Sequence, residues 1–365
     1  MKLTAAREDL LAPLQSVIGV VERRQTMPVL ANVLLSARDG RLHITGTDLE
    51  VELVASGQVT VQQGGDITLP GRKLLDIFRS LPEKVSVTLT SESEKVSIRA
   101  GRSRFTLSSL PAAEFPLVEE INAQQTLTVA QGGFRRLIDK THFSMAQQDV
   151  RYYLNGLLLE TDGSALRAVA TDGHRLALCE MTLEQGSRSA QQVIVPRKGV
   201  LELQRILGSD GNIELAIGTN HVRAQIGEIR FTSKLIDGRF PEYGRVIPNS
   251  PPRHVTADRE LLRRSLQRTA ILSNEKYRGI RLIARPELLV IQAHNPEQEE
   301  AEDQVEVSYS GEEVEIGFNV NYLLDALGAI ESEQVELGLT DSNSSCLIHA
   351  PGVSDTRYVV MPMRL

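Results

Sequence analysis

A weak pattern recurs three times along this chain at a spacing of about 124 residues. A chain that repeats on that scale is committed to repeated architecture before it is committed to any chemistry. Thr4, Thr128 and Thr256 each open a helix-like run, and Leu14, Ile138 and Leu266 hold the same place inside it, with steps of 124 and 128 residues in both cases. Pro70-Gly-Arg-Lys-Leu-Leu-Asp returns as Pro196-Arg-Lys-Gly-Val-Leu-Glu and, in worn form, as Phe318-Asn-Val-Asn-Tyr-Leu-Leu-Asp, so Asp76, Glu202 and Asp325 correspond. Phe105-Thr-Leu, Phe231-Thr-Ser and Tyr358-Val-Val close the three copies. A length of 365 residues suits three domains of about 120 residues each. Their expected spans are 1–124, 125–252 and 253–365, because the segments 119–125 and 248–253 break the hydrophobic pattern.

Between the helix-like runs the sequence is strand-like. Val33-Leu-Leu-Ser, Arg41-Leu-His-Ile-Thr, Val51-Glu-Leu-Val-Ala and Val85-Ser-Val-Thr-Leu-Thr alternate or run short and β-branched. Asp39-Gly40, Gly64-Gly65, Asp162-Gly163 and Asp210-Gly211 separate such runs at hairpin spacing. Each third therefore reads as helix, strands, helix, strands: an α+β plan with two helices on one face of antiparallel sheets. The two halves of a third resemble each other in order, which gives six similar units per chain.

No stretch approaches the roughly 18 apolar residues of a membrane span, and the first residues lack the apolar core of a signal peptide, so a soluble, cytoplasmic protein is expected. Cys179 and Cys346 have no spaced Cys or His partner and read as packed thiols, with no metal or cofactor implied. The net charge of −7 is uneven. Six helix-like segments (6–18, 71–82, 132–142, 197–208, 259–272 and 321–330) hold fourteen Lys/Arg against seven Asp/Glu, leaving net −14 on the rest. Composition alone leaves two accounts open: ordinary solvated helices, or a basic surface facing an anion.

Several segments together resemble one family, the bacterial sliding clamp, the β subunit of the DNA polymerase III holoenzyme. They are Gly46-Thr-Asp-Leu-Glu, Gly101-Arg-Ser-Arg-Phe, Gln148-Asp-Val-Arg-Tyr-Tyr-Leu-Asn-Gly, Ala170-Thr-Asp-Gly-His-Arg-Leu, Val195-Pro-Arg-Lys-Gly, Asp237-Gly-Arg-Phe-Pro, Asn295-Pro-Glu-Gln-Glu-Glu-Ala-Glu and Met361-Pro-Met-Arg-Leu. The resemblance spans the whole chain. It implies three clamp domains in a crescent, paired head to tail as a homodimeric ring around double-stranded DNA, with helices lining the hole. It also implies a processivity factor without catalysis of its own. Its implied partners are the replicative polymerase α subunit, the clamp loader, translesion and repair polymerases, ligase and mismatch repair proteins.

The resemblance assigns residues to three surfaces. Those implied against DNA are Arg24, Arg72, Lys73, Arg79, Gln148, Arg151, Tyr152, Tyr153, Arg197 and Lys198, with Arg135, Arg136, Arg263, Arg264 and Arg268 as further basic helix positions. Contacts there should be to phosphate rather than base edges. The dimer junction would join Lys73, Arg99, Arg102, Arg104, Phe105 and Leu107 at one end to Ile271, Leu272, Glu297, Glu299 and Glu300 at the other. Taken alone, the acidic run 297–303 also reads as a solvated loop. A partner-peptide cleft would draw on Arg151, Tyr153, Leu154, Thr171, Gly173, His174, Arg175, Leu176, Pro241, Arg245, Val246, Asn319, Tyr322, Ser345, Val359, Met361, Pro362 and Met363. Asn343 stands where the family commonly carries an apolar residue.

Two other readings compete. Asp172 and His174 sit close enough for acid–base chemistry in a hydrolase, although Thr171-Asp-Gly-His reads more simply as a turn. A protein-only scaffold without DNA encirclement would leave the basic helices merely solvated.

Overall fold

The computed structural model describes residues 1–22, 27–118 and 120–364. Among the described residues six α-helices recur in pairs: α1 Arg7–Val17, α2 Gly71–Ser80, α3 Gln131–Asp139, α4 Arg197–Ile206, α5 Arg259–Thr269 and α6 Val320–Ala329. Leu14, Ile138 and Leu266 are buried at matching places in α1, α3 and α5. Thr4, Thr128 and Thr256, expected to open those helices, lie instead in the strands Lys2–Ala6, Ala123–Ala130 and Arg253–Asp258 that lead into them. The reason is period-two burial. Leu3 and Ala5, Leu127 and Val129, and Val255 and Ala257 turn inward while the threonines turn away. Each copy therefore begins with a strand.

The first residue of each leading helix ties down the end of the second. Arg7 donates from Nε to Phe78 O at 2.7 Å and from Nη2 to Arg79 O at 3.3 Å. Gln131 donates to Asp210 O at 2.6 Å, in the turn four residues past the end of α4. Arg259 reaches Ser332 O at 2.9 Å and Leu327 O at 3.3 Å. Phe78 O, Arg79 O and Leu327 O are among the carbonyls a helix end leaves unpaired, and the arginine cations there also complement the helix dipole. Arg259→Met should therefore lower unfolding free energy by about 2 kcal/mol, read from urea midpoints, because charge-assisted bonds to partly buried carbonyls are lost.

The chain divides into two compact units, residues 1–132 with 198–235, and residues 133–197 with 236–365. The first holds a five-stranded and an eight-stranded sheet; the second is built on one sheet of twelve strands. All pairings are antiparallel, as hairpin-spaced turns require. Within the first unit the strand Ile229–Lys234 pairs with Val51–Gln58, setting Phe231 opposite Leu53. Within the second, Thr356–Val360 pairs with Arg175–Thr182, setting Tyr358 opposite Ala177. Phe231 and Tyr358 are fully buried. One repeat's closing strand thus continues the previous repeat's sheet.

The third strand of this closing type, Ser103–Ser108, is at the end of the five-stranded sheet, and Phe105 is only half-buried. The third receiving strand, Glu300–Ser308, pairs on one side with Leu288–His294, while its other side meets Arg253–Asp258 only at Val307 and Ser308. One closing strand and one receiving edge remain open in each chain, among the described residues. No helix there is long and apolar enough to cross a membrane. Cys179 and Cys346 are free and buried, and burial pushes both thiols up.

Candidate functional site

A cavity of about 190 Å³ opens beside the strand pair Arg175–Thr182 and Thr356–Val360. Leu176 and Val359 lie opposite each other on these strands, almost completely buried, and with Leu154 form an apolar floor. The floor continues into a cluster with Leu158, Val169, Leu178, Ile194, Phe240 and Ile247. Arg151, Tyr153, Thr171, Gly173, Arg175, Pro241, Val246 and Met361 complete the lining, together with Glu242 and Tyr243. Met361 is fixed by its backbone N–H, which donates to His174 O at 2.9 Å.

Charge sits at the rim and is fully engaged. The Asp149 carboxylate takes Arg151 Nε at 3.0 Å, Arg151 Nη2 at 2.8 Å and the Arg151 backbone N–H at 2.8 Å. Those bonds hold the Asp149 carboxyl down to about 2. A depressed carboxyl pKa contributes above the ordinary carboxyl range and loses its effect as pH falls toward 2, so this clamp is intact at every physiological pH. Asp172 accepts backbone N–H groups from His174 at 2.9 Å and Arg175 at 3.1 Å, and pairs with Arg175 Nε at 3.0 Å. Gly173 has φ +88°, and a Cβ there would come within 2.9 Å of Arg151 Nη1, so the turn needs glycine. Arg175 also donates to Phe143 O at 2.6 Å, stacks 4.6 Å from the Tyr322 ring and pairs with Asp325. The Asp172 carboxylate is thus committed to a turn and a guanidinium, an arrangement for shape rather than proton transfer.

Of the cleft residues expected from sequence, His174, Arg245, Asn319, Tyr322, Ser345, Pro362 and Met363 do not line this cavity. Asn319 caps α6, Tyr322 supports Arg175, and Met363 N–H bonds Gly317 O at 2.7 Å. Asn343 is exposed and bonds Ser342. Sequence reasoning missed Glu242 and Tyr243; the run Phe240-Pro-Glu-Tyr243 carried the available signal, an aromatic two residues after a proline.

The corresponding seam in the first unit has no such floor. Glu52 and Thr232 stand there, directly opposite, where the second unit has Leu176 and Val359. Glu52 is 2% exposed and accepts the Val118 N–H at 2.9 Å, so carboxylate and covering chain replace an open apolar pocket. Burial raises the Glu52 pKa. A carboxyl whose folded pKa is raised weakens folding as pH climbs from the unfolded value toward the folded one. Glu52→Gln, which keeps an acceptor for Val118, should therefore raise the melting temperature at pH 7. The gain should vanish near pH 4.5, in paired thermal melts.

The expected basic positions differ in freedom. Lys73 and Arg79 on α2 are exposed. Arg72 donates to Val21 O at 3.0 Å. Lys198 is half-buried, and Glu22 and Asp48 both pair with its ammonium. Arg136 is tied to Asp355 and Thr356, Arg263 and Arg264 to Glu260, and Arg268 to Asp303 at 2.6 Å. Arg135 lies 3.6 Å from Asp139. Arg197 opens α4 half-buried, while Gln148 and Tyr152 are exposed. Arg24 lies outside the described residues. Among the junction candidates, Arg99, Arg102 and Arg104 are exposed beside half-buried Phe105 and Leu107. Ile271 is 75% exposed, Leu272 is half-buried, and Glu297, Glu299 and Glu300 are exposed.

Three family models match in succession: the N-terminal, central and C-terminal domains of the DNA polymerase III beta subunit, over residues 1–119, 128–242 and 244–364. The chain is 58% identical to the beta sliding clamp of Pseudomonas aeruginosa and 52% identical to that of Escherichia coli (strain K12), covering both chains completely in each case. Among solved structures, the DNA polymerase III subunit beta of Pseudomonas aeruginosa superposes with a TM-score of 0.98 at 56% identity over all of both chains. Caulobacter crescentus pol III beta gives 0.96 at 42%, again over all of both chains.

Proposed function

Because the chain belongs to the DNA polymerase III beta subunit family, we propose that it acts as a sliding clamp: two copies close head to tail around duplex DNA and tether the replicative polymerase. The chain has no catalytic activity of its own. One observation carries the ring. Gly46, Ala170 and Ala293 each lie fourteen residues past the start of the strands at Asn32, Gly156 and Gly279, and pair with Leu53, Ala177 and Ala301. Leu53 and Ala177 receive Phe231 and Tyr358. By the same register Ala301 of one copy receives Phe105 of the other, and Glu302 meets Arg104. An open strand edge thereby finds a partner. Arg99 and Arg104 face each other across their own ladder, a like-charge pair that an acidic neighbour would relieve.

Exposed cations such as Lys73 and Arg79 would meet phosphate weakly and in a salt-sensitive way, leaving persistence to topology. The cleft takes a short apolar segment of the polymerase. Tethering works through effective concentration, so micromolar affinity, about −8 kcal/mol, holds a partner yet lets it exchange. The same cleft serves the clamp loader, repair and translesion polymerases, ligase and mismatch repair proteins, in the cytoplasm. The test is primer extension by the replicative polymerase and clamp loader on a singly primed circular template. Long products from single binding events should appear only when this chain is present; equal lengths with and without it would overturn the reading.

A further inference from the structure

Residues 236–247 form one wall of the cleft, yet their only regular structure is a single 3-10 turn, Tyr243–Arg245. Its start is tied to a neighbouring strand by one backbone bond, Ile236 N–H to Ile194 O at 2.8 Å, and farther along side chains hold the wall. Phe240 and Ile247 are buried anchors at one end and just beyond the cleft. Between them the Tyr243 ring packs on the apolar cluster that contains Leu176 and Val359. Its hydroxyl donates to Glu160 Oε1 at 2.7 Å. Arg167 Nη1 reaches the same carboxylate oxygen at 2.5 Å and the Tyr243 oxygen at 3.3 Å. Arg167 is itself fixed by Glu180 at 2.9 Å and Asp162 at 3.2 Å, and its side chain is 18% exposed. Burial and the Glu160 bond push the Tyr243 hydroxyl up to about 12, so it remains a donor at working pH.

The first copy of the repeat provides an internal control. One repeat earlier, Ser36, His43 and Ser56 stand where the second copy has Glu160, Arg167 and Glu180. The buried Phe240 and the proline after it recur as Phe115-Pro116, which sets Val118, a side chain without a hydroxyl, in the place of Tyr243, and the adjoining Leu117 is 60% exposed. The chain crosses the sheet there too, but an open groove of about 800 Å³ separates Ala112 and Leu117 from Ser36 and His43. The latch and the closed wall occur together, in the copy that bears the cleft.

We propose that Arg167, acting through Glu160 and the Tyr243 hydroxyl, is a positioning residue for the cleft: it holds the 241–246 wall at the separation that a bound apolar segment fills. The latch rests on the reading that the cleft takes partner peptides. A wall already in place spares binding the ordering that a loose wall would require. Without the latch, Phe240 and Ile247 still seat the segment, so the wall loosens without unfolding.

The experiment is fluorescence anisotropy with overlapping labelled peptides tiled along the catalytic subunit of DNA polymerase III, the tightest binder to the wild-type chain serving as probe. Tyr243→Phe, which removes only the hydroxyl, should weaken that probe about tenfold while leaving the melting temperature and solution mass unchanged. Glu160→Gln, which keeps an acceptor for the hydroxyl, should retain most of the affinity, and Arg167→Lys should fall between. Equal affinity in the wild type and Tyr243→Phe, with the probe still lost on Met361→Glu, would overturn the latch while sparing the cleft. If no tiled peptide binds the wild type, the cleft reading falls and takes the latch with it.

Discussion

Replacing Ile271 and Leu272 together by alanine should convert a particle of two chains into one of 40.2 kDa in sedimentation equilibrium at micromolar concentration. Ile271 is 75% exposed, on a short turn directly after α5, beside the receiving strand whose 300–306 edge is open. Its exposed aliphatic side chain leaves apolar area that a partner strand's neighbours can bury. Burying such a side chain is worth roughly 1.5–3 kcal/mol, and a two-fold ring repeats every loss at both junctions. The double substitution thus removes several kcal/mol from ring closure while leaving each chain's own core untouched.

The carried register sharpens the test. Arg104→Glu or Glu302→Arg alone sets like charges opposite each other and should weaken the dimer, whereas the two together should restore it. Wild-type chains that sediment singly would remove the ring. Dimers indifferent to all of these substitutions would place the junction elsewhere.

Leu176→Asp should weaken peptide binding at least a hundredfold, roughly 2.7 kcal/mol or more, without changing solution mass. Leu176 is 3% exposed and shares the floor with Val359 across the strand pair. A carboxylate there must either be desolvated beneath an apolar ligand or draw water into the floor, and both outcomes oppose binding. Because Leu176 is also packed into the apolar cluster with Leu178 and Phe240, Met361→Glu provides a second measurement at the rim, where the residue is 39% exposed and folding is not at stake. Anisotropy titrations that read wild-type affinity in both variants would move the peptide site off this cavity.

Periodicity was the legible part of the sequence. Leu14, Ile138 and Leu266 are buried in equivalent helices because a helical stripe needs only local spacing to declare itself. The threonines before them misled because a short strand running straight into a helix presents two periods with no turn residue between. Charge was legible in sum and illegible in pairing. Lys198 looks free in its own segment, yet its carboxylates come from Glu22 and Asp48, far away in sequence. The Tyr243 latch was hidden for the same reason, since Glu160, Arg167 and Glu180 lie on three strands and mean nothing until the sheet aligns them.

The contrast between Leu176–Val359 and Glu52–Thr232 has a consequence for traffic. The carried register places Glu300 opposite Thr106 at the junction between copies, a second glutamate–threonine pair at the same position. A closed ring then has six equivalent seams and only two sockets, one per chain. On the proposed function, partners would share two berths, and a newcomer would gain its place only by another's departure.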